Sequence, residues 1–297
     1  MISIRQLRYF SAVAQTGHFG LAAEQCAVTQ PALSMQIQDL EKELGLQLLE
    51  RGRKGVSLTP GGREIAERAA RLLADVTDLI DSARQLAGTF SGTLRFGAIP
   101  SIAPYLLPQL LPLIRAAHPD LDLQLRETQT QKLLEELVDG QLDVVLLALP
   151  VEHPGIEAMP LFDDRFLLAL PASRKVGSRV RATPDLLRND RLLLLEEGHC
   201  LRDQALAFCS LRKVESIDMF GASSLSTIVQ MVANGLGLTL LPELSLALET
   251  KRADIRVMHF ADPEPKRVVG LAWRETSPRK RDFAALGALI VEAANRD

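Results

Sequence analysis

Cysteine is scarce in this chain. Three in 297 residues are too few for a secreted disulfide framework, so a reducing compartment is the default. No apolar run approaches the ~20 residues of a membrane span. The opening stretch, MISIRQLRYF, carries charge and lacks the apolar core of a signal peptide. A soluble, cytoplasmic protein with no membrane partner is therefore expected. His199 and Cys200 stand side by side with no second Cys/His cluster, which is not structural-zinc spacing, so no metal is expected and nothing calls for a cofactor. Charge of one sign is also lacking: the net of −3 speaks against indiscriminate nucleic-acid binding. Residues 1–63 carry a net of +2, too little to establish DNA binding without a pattern.

At 47% hydrophobic, the chain is long enough for two or three domains with cores of their own. Two of its three cysteines fall in one stretch, Leu192 to Cys209, reading LLLLEEGHCLRDQALAFC. An apolar run opens it, Gly198 breaks it, and good helix formers follow. A helix over residues 200–209 would hold the two Cα atoms ~13 Å apart on opposite sides, whereas a disulfide needs them within roughly 7 Å. The stretch is either a helix with two thiols or a bridged loop, never both at once.

The N-terminal pattern is helical. Residues 5–15 form a short helix with Leu7, Phe10, Val13 and Ala14 inward, followed by a helix over Phe19–Cys26. After a three-residue turn, a second helix starts from Thr29 as N-cap, with Pro31 tolerated in its first turn. Leu33, Ile37, Leu40 and Leu44 make one buried stripe. Gln30, Pro31, Ser34, Met35 and Gln38 lie on the other side, where a helix-turn-helix meets base edges in the major groove. LQLLERGRKGVSLTPGG reads as two short strands around a basic turn of Arg51, Arg53 and Lys54, suited to phosphate or minor-groove contact. Cys26 packs beneath this domain as a small hydrophobe.

Residues 61–88 read as one helix about 42 Å long. Ile65, Ala69, Leu72, Val76, Leu79, Ala83 and Leu86 alternate spacings of four and three, a coiled-coil seam. Glu64, Glu67, Arg68, Arg71, Asp75 and Asp78 leave only that side apolar, which predicts a dimer with two recognition helices on two half-sites.

Beyond a hinge at Gly88–Gly92, strands alternate with helices, the pattern of parallel sheets covered by helices. Strands are expected over Thr93–Ala98, Leu121–Glu127, Asp143–Leu149, Ile156–Phe162, Arg165–Leu170, Arg191–Leu195, Ile217–Gly221, Leu238–Leu241 and Val268–Trp273. Helices are expected over Pro104–Ala117, Gln131–Asp139, near Pro184–Leu187, over Leu225–Asn234 and over Arg279–Ala294. Such sheets bind ligands beyond the carboxyl ends of their strands. Ser101 and Thr130 each follow a strand there; Thr130 could equally be only an N-cap.

Residues 1–63 closely resemble the winged helix-turn-helix of LysR-type transcriptional regulators. The carrying residues are Leu7, Phe10, Phe19, Ala22 and Ala23, the string TQPALSMQIQDLE from Thr29, then Leu44-Gly45, Leu48-Leu49-Glu50-Arg51 and Leu58-Thr59-Pro60-Gly61. Many members carry a basic residue where this chain has Met35, which shifts electrostatic weight to the wing. Residues 93–297 resemble that family's effector domain, two Rossmann-like halves of the periplasmic-binding type joined by crossover strands. The expected fold is thus α/β: a winged helix-turn-helix over 1–63, a linker helix and hinge over 64–90, and a regulatory domain over 91–297. Its first subdomain spans about 91–162 and 268–297, its second about 163–267.

GHCLRDQALAFC, AIPSIAPYLLPQLLP, ETQTQKLLEEL, GASSLSTIVQMVANGLGLTLLP and PEPKRVVGLAWR narrow the resemblance to the family's peroxide-responsive members. That resemblance implies Cys200 as the peroxidatic cysteine, Cys209 as the resolving one, and a pocket of Ser101, Thr130, His199 and Arg267. It also implies operator DNA, hydrogen peroxide and RNA polymerase as partners, and a homodimer assembling to a tetramer. Ser101 replaces the more usual threonine. His199, Arg202 and Arg267 are candidate cations for a thiolate, with a helix from near Asp203 supplying its dipole. Closing the ten-residue loop constrains the chain by roughly 2.5–3 kcal/mol, while a 1:99 to 99:1 switch takes ~5.5. The remainder must come from the exclusion of the helical form. Two other readings stay in view: a regulator answering a cleft ligand with incidental cysteines, and a thiol peroxidase with an appended domain.

Overall fold

The structure is a computed structural model that describes residues 1–52, 55–85, 90, 92–175, 181–183, 190–211 and 217–296. Side chains of 51, 84, 85, 209–211 and 217–221 are not among those described. The chain divides into two compact units, Met1–Ala83 with Val138–Gln141, and Arg84–Leu137 with Leu142–Asp297.

In the first unit, α1 (Ile4–Thr16) opens on a capping box: Ser3 accepts from the Gln6 amide while Gln6 accepts from the Ser3 amide. α2 (Phe19–Gln25) and α3 (Gln30–Leu44) follow, and Phe10, Ala22, Leu33, Ile37 and Leu40 form the dry centre between them. Thr29 holds the N-cap position of α3 without a side-chain hydrogen bond; Pro31 serves that end instead, since its missing N–H leaves nothing to satisfy. β1 (Leu49–Gly52) and β2 (Gly55–Leu58) pair antiparallel as the wing, and the Val56 amide donates to the Gly17 carbonyl at 3.0 Å.

α4 (Pro60–Gln85) is the predicted long helix, yet its seam is not uniform. Ile65 and Ala69 are already used by their own domain's core, whereas Leu72 and Leu79 are 53% and 71% exposed. Asp78, assigned to the polar side, is buried. Leu86 and most of the expected hinge lie outside the described residues.

The second unit starts with β3 (Thr93–Ala98), α5 (Ala103–Ala117), β4 (Asp122–Glu127), α6 (Thr130–Val138) and β5 (Val144–Leu149). β3 lies parallel to both β4 and β5. The two strands expected over 156–170 are one, β6 (Ile156–Pro171). It crosses from one half of the unit to the other, pairing with β11 (Lys266–Arg274) over its first part and with β9 (Thr239–Pro242) and β10 (Ile255–Met258) over its last. Asp163 and Asp164, which read as a break, instead oppose Val268 and Arg267 on β11 and are satisfied by cations from that strand. The second half adds β7 (Leu192–Leu195) parallel to β8 (Ile217–Ala222), helices α7 (Cys200–Leu211), α8 (Leu225–Ala233) and α9 (Leu246–Arg252), and the C-terminal α10 (Lys280–Ala294). β10 and α9 have no counterpart in the sequence reading. The helix expected near Pro184–Leu187 lies outside the described residues.

Candidate functional site

The second-unit site is built from five short pieces of chain. α7 is seated by Leu201, Ala205 and Phe208, spaced for one helical face: the first two are buried and Phe208 meets Phe260 edge-on at 5.2 Å. The other side of the helix start brings half-buried Cys200, a free thiol, against the first half's core. Cys200 is the first residue of α7, so the helix begins three residues before the Asp203 start expected from sequence. At that end the helix macrodipole favours negative charge. Cys209 lies on the same helix, with its side chain outside those described.

Gly198 brings this segment against the loop before α6. Its φ of +89° suits only glycine, and a Cβ there would meet the Gln129 Oε1 at 2.5 Å. Gln129 donates to the Glu197 carbonyl at 3.4 Å. The next residue, Thr130, begins α6 itself and so is no N-cap; its hydroxyl is buried with no hydrogen-bond partner.

Ser101 and Arg267 meet directly. The guanidinium donates to the Ser101 hydroxyl at 2.8 Å and to its carbonyl at 3.0 Å. It also pairs with Asp164 at 2.9 Å, both side chains being essentially dry (0% and 1% exposed). Phe166 lies under the guanidinium at 5.9 Å.

Of the three expected cations, His199 does not qualify. It is buried, and desolvation holds its pKa below the ordinary 6.5, with Glu196 opposing the shift weakly from 4.0 Å. The imidazole is therefore neutral at pH 7. Arg202 is paired with Glu197 at 3.3 Å and Arg267 with Asp164, so neither offers an unscreened charge. His199 also makes a prediction. Its folded pKa lies below its unfolded one, so its contribution is complete above about pH 6.5 and is lost as pH falls through the folded value. Urea unfolding of His199→Gln between pH 7.5 and 5 should show a flatter stability profile than the parent; an equally steep one would remove His199 as the cause.

In the first unit, Gln30, Pro31, Met35 and Gln38 are exposed along α3, and Ser34 is half-buried between them. Met35 is 56% exposed. Arg53 and Lys54 lie outside the described residues, and so does the side chain of Arg51.

Residues 4–63 match the bacterial regulatory helix-turn-helix protein model of the lysR family, and residues 87–295 match the LysR substrate binding domain. The chain belongs to the LysR family. The LysR-family chain is 45% identical to a probable hydrogen peroxide-inducible genes activator of Streptomyces viridosporus, over 98% of this chain and 94% of that protein. It is 41% identical to the DNA-binding transcriptional dual regulator OxyR of Escherichia coli K12, over 97% and 95%. A full-length Pseudomonas aeruginosa OxyR carrying a cysteine-to-aspartate change superposes with a TM-score of 0.81 at 36% identity, covering 98% and 95%. A Corynebacterium glutamicum OxyR cysteine-to-serine variant with hydrogen peroxide bound gives 0.69 at 34%, covering 98% and 92%. The matched family is one of DNA-binding transcriptional regulators with a winged helix-turn-helix ahead of a two-lobed α/β domain. No helix among the described residues is long and apolar enough to cross a membrane.

For this LysR-family member, sequence reasoning missed Asp164 and Phe166. The signal was present: Asp163 and Asp164 stand between the apolar runs 159–162 and 166–170 of one strand, and in β pairing a buried acid calls for a cation on the neighbouring strand.

Proposed function

We propose that the chain is a cytoplasmic transcriptional regulator that senses hydrogen peroxide through Cys200 and controls oxidative-stress genes. The Cys200 thiolate attacks one peroxide oxygen; the O–O bond breaks and the other oxygen leaves as hydroxide, which takes up a proton to become water. The product is a sulfenic acid at Cys200. The Cys209 thiol then attacks that sulfur, the S–O bond breaks and a second water leaves, so two thiols supply the two electrons that reduce the peroxide. Ser101 and Thr130 hydroxyls donate to the peroxide, with Arg267 holding Ser101 and His199 lining the pocket as a neutral ring.

One observation carries the switch: the helix begins at Cys200 and continues without interruption past Cys209. Nine helical steps put those Cα atoms ~13 Å apart, about twice the reach of a disulfide. Bridging therefore requires α7 to unwind, with loss of the Leu201, Ala205 and Phe208 contacts that seat it. The reshaped surface resets how subunits meet. Dimerisation runs through the exposed part of α4, where Leu72, Leu79 and Ile80 present an uncovered apolar edge. Dimers pair to a tetramer, set two recognition helices on operator half-sites through Gln30, Pro31, Ser34, Met35 and Gln38, with Arg51, Arg53 and Lys54 on the backbone, and engage RNA polymerase.

Peptide mass spectrometry before and after one equivalent of peroxide tests the reading. A Cys200–Cys209 linked peptide is expected only after the pulse. Its absence, or its presence before any peroxide is added, overturns the proposal.

A further inference from the structure

We infer that Asp164 is a positioning residue for the peroxide chemistry: it fixes Arg267 and, through Arg267, the direction in which the Ser101 hydroxyl can donate. The inference rests on the peroxide reading above and adds a residue to it.

The strands dictate the pairing. Asp164 on β6 and Arg267 on β11 are register partners in an antiparallel ladder, so both side chains project to the same face at close range. Phe166, two residues along β6, falls on that face too and underlies the guanidinium. One Asp164 oxygen receives Arg267 Nε at 2.9 Å and the other receives the Leu244 amide at 3.1 Å, so the carboxylate has little freedom to rotate. A guanidinium is a rigid plane of five N–H donors and no acceptor. Tied to Asp164 along one edge and to the Ser101 hydroxyl and carbonyl along another, its orientation is set.

The consequence falls on the Ser101 proton. Arg267 occupies one lone pair of the hydroxyl and cannot accept from it, so the hydrogen must point elsewhere and stays available to a substrate oxygen. Serine has no β-branch to restrict χ1. Its aim therefore depends on this hydrogen bond more than a threonine's would. Without Asp164, the same guanidinium is a buried, unpaired cation free to seek another acceptor.

A double-mutant cycle on the full-length protein separates this role from general support of the fold. Cys200 oxidation by hydrogen peroxide is timed by quenched intact-mass analysis, with iodoacetamide alkylation of the same thiol as a control reaction that needs no peroxide alignment. Asp164→Asn is expected to slow peroxide oxidation about tenfold, the scale of losing an orienting partner, and to leave alkylation within about twofold. In a Ser101→Ala background, the same substitution should change the peroxide rate less than about twofold. An undiminished loss in that background, an equal loss in both reactions, or no loss at all overturns the role. If Asp164→Asn does not fold, Asp164→Glu keeps the charge while displacing it, and the cycle is run with that variant under the same criteria. Parent protein that fails to react with peroxide would instead sink the underlying reading.

Discussion

Cys200→Ser is expected to abolish every peroxide-dependent change in the protein: no linked peptide, no protease-sensitivity change in residues 200–211, and no altered footprint on operator DNA. The effect is total because an alcohol is not a nucleophile toward peroxide at neutral pH, and without a sulfenic acid Cys209 has nothing to attack. Cys209→Ser should behave differently. It retains the first step, so a sulfenic acid accumulates at Cys200 and is trapped by dimedone, but no bridge forms and α7 stays helical. The pair of variants also decides against the alternatives. A response to a small molecule in the cavity of about 150 Å³ beside Ser101 and Tyr105 would survive Cys200→Ser intact. Sustained peroxide turnover with an added thiol reductant would point to an enzyme instead.

The second large effect is on stability. Arg267→Met removes the cation from a dry pair and leaves the Asp164 carboxylate uncompensated in the interior. Breaking a buried pair from one side costs about 3–5 kcal/mol, far more than the pair adds over an apolar substitute. For a unit of this size that corresponds to a melting temperature lower by on the order of 10 °C. Calorimetry of the single variant and of Arg267→Met combined with Asp164→Leu makes the argument falsifiable. The double variant should recover much of the loss, because no charge remains stranded. A single variant within about 1 kcal/mol of the parent would mean that the pair is solvated in solution, and would overturn the argument.

How much of this was legible in residue order differs from element to element. The helix-turn-helix was readable because its information is local. The stripe Leu33, Ile37 and Leu40 follows helical spacing, and a turn between two caps leaves few alternatives. The alternation of strands and helices over 93–294 was readable where a strand is a short apolar run closed by a turn, as in β5 and β7, but not at β6, whose polar centre read as a break, nor at β10. The α4 heptads were readable as a pattern but not as an interface: period alone does not reveal that Ile65 and Ala69 are taken by their own domain while Leu72 and Leu79 are left uncovered.

What the sequence determined by itself is the order of the elements, the family, and the either/or geometry of two cysteines nine residues apart, because each depends on spacing along one chain. Only the tertiary structure decided which charges act. His199 reads as a cation beside a cysteine, yet burial makes it neutral. Arg267 reads as a free cation, yet a strand 103 residues away supplies Asp164 to neutralise it. The same pairing made one strand of what looked like two. The physical reason is common to all three: desolvation and cross-strand partners are properties of the assembled fold, set by residues that are remote in sequence, and no local pattern carries them.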